Sequence, residues 1–413
     1  MTEQSRHVPL RALRWDAADA AKAMEEIITD AIGHFSPERF WPAHPLDEGC
    51  KDGNSSIYFG AAGVIWGLEY LTRAVAPDAG ADFRPVLRSL LKKTWEEMAT
   101  FGDYAQTGSL LFGDLGTALL IMRLTPEPFI ADHIYARASA NMELPVRELT
   151  WGLPGSMLAC LAMDEITRNR DKGKEGEKGG GIDKPDPRWR TLFETQAERL
   201  LADLQETDAG PIWVQDLYGR QSRYLGPVHG YAGNMIPLLR GWDWLTASQR
   251  ERVIDVVPRT LSRNACRTES GVTWHAVVMD TSKPPWLCQH CHGAPGIVTT
   301  FADARFTSPE LETLLLEAGN FTWAAGPLAK GSNLCHGSGG NGYAFLKLHQ
   351  RTKDPVWLER ARTFAMTAIA QCRETRQEVG RGRYSLWTGD IGLAVYLWDC
   401  LRGVARFPTV DVF

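Results

Sequence analysis

Two kinds of apolar pattern alternate along this chain. The first is dense and helical, as in Val64, Trp66, Gly67, Leu68 and Leu71, with few polar positions on any face. Such a segment predicts a helix buried all round. The second is amphipathic, as in PVLRSLLKKTWEEMATF and DPVWLERARTFAMTAIAQC, where an apolar stripe opposes a charged face. Those segments predict helices with one solvated side. Each dense run opens with Gly-x-x-Gly: GAAGVIWGLEYL at Gly60, GDLGTALLIM at Gly113, GLPGSMLACLAM at Gly152 and GYAGNMIPLL at Gly230. The phrase returns as GAPGIVTTFA at Gly293, GSGGNGYAFLKL at Gly337 and GDIGLAVYLWDCL at Gly389. Each interval holds two helices of average length.

Seven such phrases predict an all-α fold, an α/α toroid of seven inner and seven outer helices, with the glycine turns gathered at one end. Glycine at a helix start lets backbone approach closely, and it is expected here to free the helix N-termini for ligands. Residues 51–413 are read as the single toroid and residues 1–50 as an N-terminal helical extension. The longest interval contains RNRDKGKEGEKGGGIDKPDPR, residues 168–188, which is charged, glycine-rich and nearly free of apolar side chains. It is expected to be a disordered polar loop on the rim rather than a domain boundary.

Composition narrows the function classes. Hydrophobic residues make up 44% of the chain, enough for a sizeable core. A net charge of −5 and a pI near 6.1 give no basic stripe for nucleic acid. The first residues lack the apolar region of a secretory signal, and no apolar run approaches the roughly 20 residues of a membrane span. A cytoplasmic location is therefore expected, where the eight cysteines are thiols or metal ligands rather than disulfides.

The stretch CQHCHGAPG, Cys288 to Gly296, admits several chemistries. Its C-x-x-C-H spacing suits haem attachment, and its C-x-x-C suits a redox pair or part of a zinc site. Haem attachment sits poorly with a chain that shows no export signal, and no thioredoxin-like βαβ pattern surrounds the cysteine pair. Cys-His-Gly recurs at Cys335-His336-Gly337, and His229-Gly230 repeats the histidine alone. If the turns converge, Cys291, Cys335 and an adjacent histidine form a three-ligand zinc site with an open position. A closed structural site that adds Cys288 is the alternative.

These motifs resemble the lanthionine synthetase C-like (LanC-like) family over nearly the whole length. The resemblance runs from the phrase at Gly60 through WLCQHCHGAPG and KGSNLCHGSGGNGYAFLKL to the tail ARFPTVDVF. It implies Zn2+ held by Cys291, Cys335 and His336. It implies catalytic roles for His229 and for Glu148, in ELTWGLPG, and a glutathione-binding role for Lys330. His292 matches the glutathione-binding branch, where peptide cyclases more often carry tyrosine. Its usual W-C-H-G is departed from here, since Trp286 stands five residues before Cys291.

The implied activity is addition of a thiol, from glutathione or a peptide cysteine, to dehydroalanine or dehydrobutyrine in a peptide or protein. Only the thiolate attacks, and an ordinary thiol with a pKa near 8.5 is little ionised at neutral pH. His229 would protonate the resulting enolate, Glu148 would orient it, and His292 would hold the acceptor's carbonyl or replace His229 as acid. The competing readings are a lanthipeptide cyclase, a non-catalytic zinc-stabilised scaffold, and a toroid carbohydrate enzyme with Glu148 and Asp114 as its carboxylates. Trp151 and Trp387 are candidates for the pocket wall. Asp114 and Asp390, each following a motif glycine, are expected to cap inner helices.

Overall fold

The computed structural model describes residues 6–10, 13–47, 53–173, 186–279, 281–282, 284 and 287–413, apart from 76–80. Helices α1 (Ala17–Gly33), α2 (Ala61–Val75), α3 (Leu87–Met98), α4 (Asp114–Leu124) and α5 (Pro128–Ala140) are followed by α6 (Leu153–Gly173), α7 (Pro187–Ala202), α8 (Tyr231–Arg240) and α9 (Ala247–Arg263). The chain continues through α10 (Ala294–Phe301), α11 (Pro309–Ala325), α12 (Ser338–Thr352), α13 (Pro355–Val379) and α14 (Asp390–Arg402). The even-numbered helices each begin within a glycine phrase, and each touches the next even-numbered helix around a ring that closes between α14 and α2. They form the inner layer; α8 and α10 bury almost every residue, and α12 buries Ser338 through Leu348. The odd-numbered helices form the outer layer. Helix α3, for instance, buries Leu87, Leu90, Leu91, Thr94 and Met98, one stripe at helical spacing. The expected α/α toroid is the fold observed.

The seventh outer helix is α1, which packs along α14 and α13. It lies in the segment read as an N-terminal extension, before the first glycine phrase. Of the segment read as a polar loop, residues 168–173 end α6 and residues 187–188 begin α7. Residues 174–185 lie outside the described residues, as does Trp286. Among the described residues no helix is long and apolar enough to cross a membrane.

The glycines act through close contact. A Cβ at Gly296 would lie 1.9 Å from the His290 carbonyl oxygen, and one at Gly340 would lie 1.8 Å from that of Leu334. Each loop thus folds tightly back onto the helix it precedes. That folding also corrects the expectation of free helix N-termini. In α8 the N–H groups of Tyr231, Ala232 and Gly233 donate to the carbonyls of Tyr224, Leu225 and Gly226. In α12 those of Ser338, Gly339 and Gly340 donate to Gly331, Ser332 and Asn333. The orphan donors of the first turn are satisfied by backbone, so no ligand is needed there.

Two hairpins interrupt the helices, β1–β2 (Gln215–Leu217 with Arg220–Ser222) and β3–β4 (Cys266–Thr268 with Gly271–Thr273). The C-terminal segment enters the ring from the far ends of the inner helices. Its Phe407 ring stacks on His290 at 4.3 Å between centroids, and Asp411 joins Asp303 in accepting from the buried Lys347 ammonium.

Candidate metal and catalytic site

The residue two before each first glycine occupies an equivalent place in its turn, and backbone hydrogen bonds link six of these seven places, from Cys291 to Thr150. The Cys291 N–H donates to the Cys335 carbonyl at 3.1 Å, Cys335 to Trp387 at 2.9 Å, and Trp387 to Tyr58 at 3.2 Å. Tyr58 in turn donates to Leu111 at 2.9 Å. This girdle makes neighbours of two cysteines that are far apart in sequence. The Cys291 and Cys335 sulfurs and a ring nitrogen of His336 lie within 4.8 Å of one another. The Asn333 carboxamide oxygen accepts from the His336 N–H at 3.0 Å, fixing that turn.

Each sulfur has a donor of its own. The Tyr58 hydroxyl donates to Cys335 Sγ at 2.6 Å, and Gln289 Nε2 donates to Cys291 Sγ at 3.0 Å. The hydrogen bond from Cys335 holds the Cys291 thiol well below the usual thiol range, against the opposing effect of burial. Cys335, the donor of that pair and fully buried, is pushed the other way. Cys288 stands apart from the cluster, with its thiol pushed up to about 12 by burial.

Six of the seven residues that immediately precede a first glycine face the mouth of the ring. Phe59, Phe112, Trp151, His229, His336 and Thr388 all line one cavity of about 670 Å3. Lys330 lies on the same wall, as do Arg383 and Tyr218. His292 holds the equivalent place in its own turn but packs against Tyr224, with ring centroids 6.3 Å apart and its Nδ1 without a hydrogen-bond partner. Burial, more than any other influence, lowers its pKa and keeps the ring neutral.

Glu148 is fully buried and accepts from the Thr150 N–H at 3.0 Å, the Thr150 hydroxyl at 2.5 Å and the Trp151 N–H. It also lies 3.0 Å from His229 Nδ1. A carboxylate in that setting takes the Nδ1–H, which fixes the tautomer and turns Nε2 toward the cavity.

The structure brings Cys291, Cys335, His336, His229, Glu148 and Lys330 to one end of the ring. Trp151 is in the wall, as expected. Trp387 is instead core, 1% exposed and packed on Tyr58 and Phe407. Asp114 and Asp390 do not cap their own helices. Asp114 accepts from Arg137 and His133, and Asp390 from Arg376 and the Arg383 N–H, tying inner helices to the outer layer. Tyr58 and Gln289 escaped the sequence reading, although Tyr58 stands in the same register of its phrase as both cysteines.

An α/α toroid whose glycine turns gather a Cys-Cys-His donor set and a carboxylate-held histidine around one cavity defines a toroid with a candidate metal and proton-transfer centre. A family model for lanthionine synthetase C-like proteins matches residues 182–412, and the chain belongs to that family. It is 31% identical over 195 residues to glutathione S-transferase LANCL1 of Danio rerio, covering 46% of this chain and 47% of that protein. It is 36% identical over 134 residues to LanC-like protein GCL1 of Arabidopsis thaliana, covering 30% of each. The chain thus spans less than half the length of these curated relatives. Its fold is similar to that of nisin cyclase, with a TM-score of 0.63 over 94% of this chain and 95% of that one at 14% identity.

Proposed function

We propose that this protein is a zinc-dependent enzyme that adds a thiol, glutathione in the first instance, to dehydroalanine or dehydrobutyrine residues to form a thioether. The observation that carries the reading is that His336, one of three clustered metal-type donors, and His229, held by Glu148, line one cavity. Two sulfurs and one imidazole suit zinc, whose bonds of about 2.1–2.3 Å put neighbouring ligands roughly 3.5–4 Å apart. When bound, zinc supplies the Lewis acidity that keeps an incoming thiol ionised at neutral pH.

The chain's own residues do the rest. Tyr58 and Gln289 hold the two cysteine sulfurs by hydrogen bonds and limit their rotation. His229 takes the thiol proton at Nε2. The sulfur then bonds to the β-carbon of the acceptor, the alkene pair moves toward the carbonyl, and His229 returns the proton to the α-carbon. Glu148 stabilises the charged ring between those two transfers. Lys330, on the cavity wall, pairs with a carboxylate of glutathione. The Danio rerio relative, a glutathione S-transferase by name, supports glutathione as the thiol.

Mass spectrometry of a dehydroalanine peptide incubated with glutathione and the protein tests the proposal. A mass gain of one glutathione that disappears in His229→Ala is expected. Equal adduct in the variant and the wild type contradicts the role of His229, and no adduct from either contradicts the reaction.

A further inference from the structure

Tyr218 stands out for its backbone. It forms with Gly219 the two-residue turn between β1 and β2, since Leu217 pairs directly with Arg220. Both turn residues have positive φ, 53° at Tyr218 and 69° at Gly219. A turn of this kind favours asparagine, aspartate or glycine at its first position, because a larger side chain crowds the left-handed backbone. An aromatic residue held there against its preference is a reason to ask what the ring does.

The ring is held firmly although 56% of the residue is exposed. Trp151 Nε1 donates to the Tyr218 hydroxyl at 3.0 Å, and the Tyr218 N–H donates to the Tyr104 hydroxyl at 2.5 Å. The exposed face belongs to the cavity that His229 and His336 also line. Tyr218 meets His229 edge-on, with ring centroids 6.1 Å apart.

The direction of the first bond matters. An indole N–H can only donate, so the phenol oxygen is the acceptor and its own proton is left over. No described residue accepts that proton. At neutral pH a phenol stays protonated, so the group is a donor fixed at the cavity wall beside the acid His229.

We infer that Tyr218 is a further catalytic residue, whose hydroxyl donates a hydrogen bond to the acyl oxygen of the dehydroamino acid. The inference rests on the reaction proposed above. As the sulfur bonds to the β-carbon, the alkene pair becomes the enolate and negative charge develops on that oxygen. A donor already in place stabilises this charge without reorganising. No proton is transferred from Tyr218. The proton that completes the α-carbon comes from His229. Trp151 acts through Tyr218 as a positioning residue.

The test compares wild type, Tyr218→Phe and Tyr218→Asn in steady-state addition of glutathione to a dehydroalanine peptide. Zinc content is measured alongside. Tyr218→Phe keeps the ring and removes only the donor, and Tyr218→Asn removes the phenol with a residue that accepts the left-handed backbone. The expected result is a kcat about 100-fold lower in Tyr218→Phe, with KM and zinc content within about two-fold. Tyr218→Asn should lose at least as much. An unchanged kcat in Tyr218→Phe, or a change in KM alone, overturns the role of Tyr218 while leaving the reaction in place. A wild type that forms no adduct overturns the reaction and the donor role together.

Discussion

Tyr58→Phe isolates one hydrogen bond at the proposed metal centre. The Tyr58 hydroxyl donates to Cys335 Sγ at 2.6 Å in a fully buried setting. Its ring stacks on Trp387 at 5.3 Å and meets Phe112 at 5.0 Å, contacts that phenylalanine retains. The substitution therefore leaves packing in place and takes one donor from a sulfur that is ionised when it binds metal. Hydrogen bonds to charged groups contribute about 1.5–3 kcal/mol. At about 1.4 kcal/mol per decade, that is a zinc dissociation constant roughly 10- to 150-fold higher. Loss of an outer partner of a metal ligand has an effect of the same order, about 10- to 100-fold. The assay is a zinc competition titration against a chromophoric chelator at neutral pH, with thermal unfolding of the metal-free protein as a control. A variant whose zinc affinity stays within about two-fold of wild type, with unchanged apo stability, refutes the reasoning.

Gly340→Ala places a Cβ 1.8 Å from the Leu334 carbonyl oxygen, so the loop carrying Cys335 and His336 must move by more than 1 Å. Metal analysis should show less than half the wild-type zinc, and unfolding should report a loss of about 1–3 kcal/mol or more. Glu148→Gln keeps the shape of the group beneath His229 and removes its charge. Turnover should fall about 10²- to 10⁴-fold at unchanged zinc content, as adduct kinetics would read. Asp399 is fully buried among Tyr343, the Arg406 N–H, Arg402 and Asp411, and burial pushes its carboxyl up to about 7. A raised carboxyl pKa means that the folded state holds a proton which the unfolded chain releases, so stability falls as pH rises from about 4 to 7. Asp399→Asn removes that fall. Its Tm relative to wild type should increase between pH 5 and 8, by the equivalent of roughly 3 kcal/mol at most.

The toroid was legible because its glycines are required by backbone contact and cannot drift. Gly296 and Gly340 each meet a carbonyl oxygen at under 2 Å from where a Cβ would stand. The donor set was legible for a related reason. Cys291 and Cys335 share one register of the phrase, and the girdle of backbone hydrogen bonds makes that register a place in space. Other features left no mark of this kind. Helix α1 precedes the first phrase, so nothing in the repeat assigns it to the ring. The occupied N–H groups of α8 and α12 depend on how tightly each loop folds back, which a glycine pattern does not specify. Tyr218 lies on a hairpin outside every phrase, and only its φ and its cavity mark it. Asp114 and Asp390 sit where caps belong. Buried beside Arg137 and Arg376, they serve ion pairs instead.

The measurement that tests the account most directly pairs zinc stoichiometry with thioether formation in wild type, Cys335→Ala and Cys288→Ala. The account predicts one zinc per chain and a glutathione adduct on a dehydroalanine peptide in both wild type and Cys288→Ala, with zinc and adduct lost together in Cys335→Ala. Bound zinc that needs Cys288, in a protein that forms no adduct, would contradict it and make the metal purely structural.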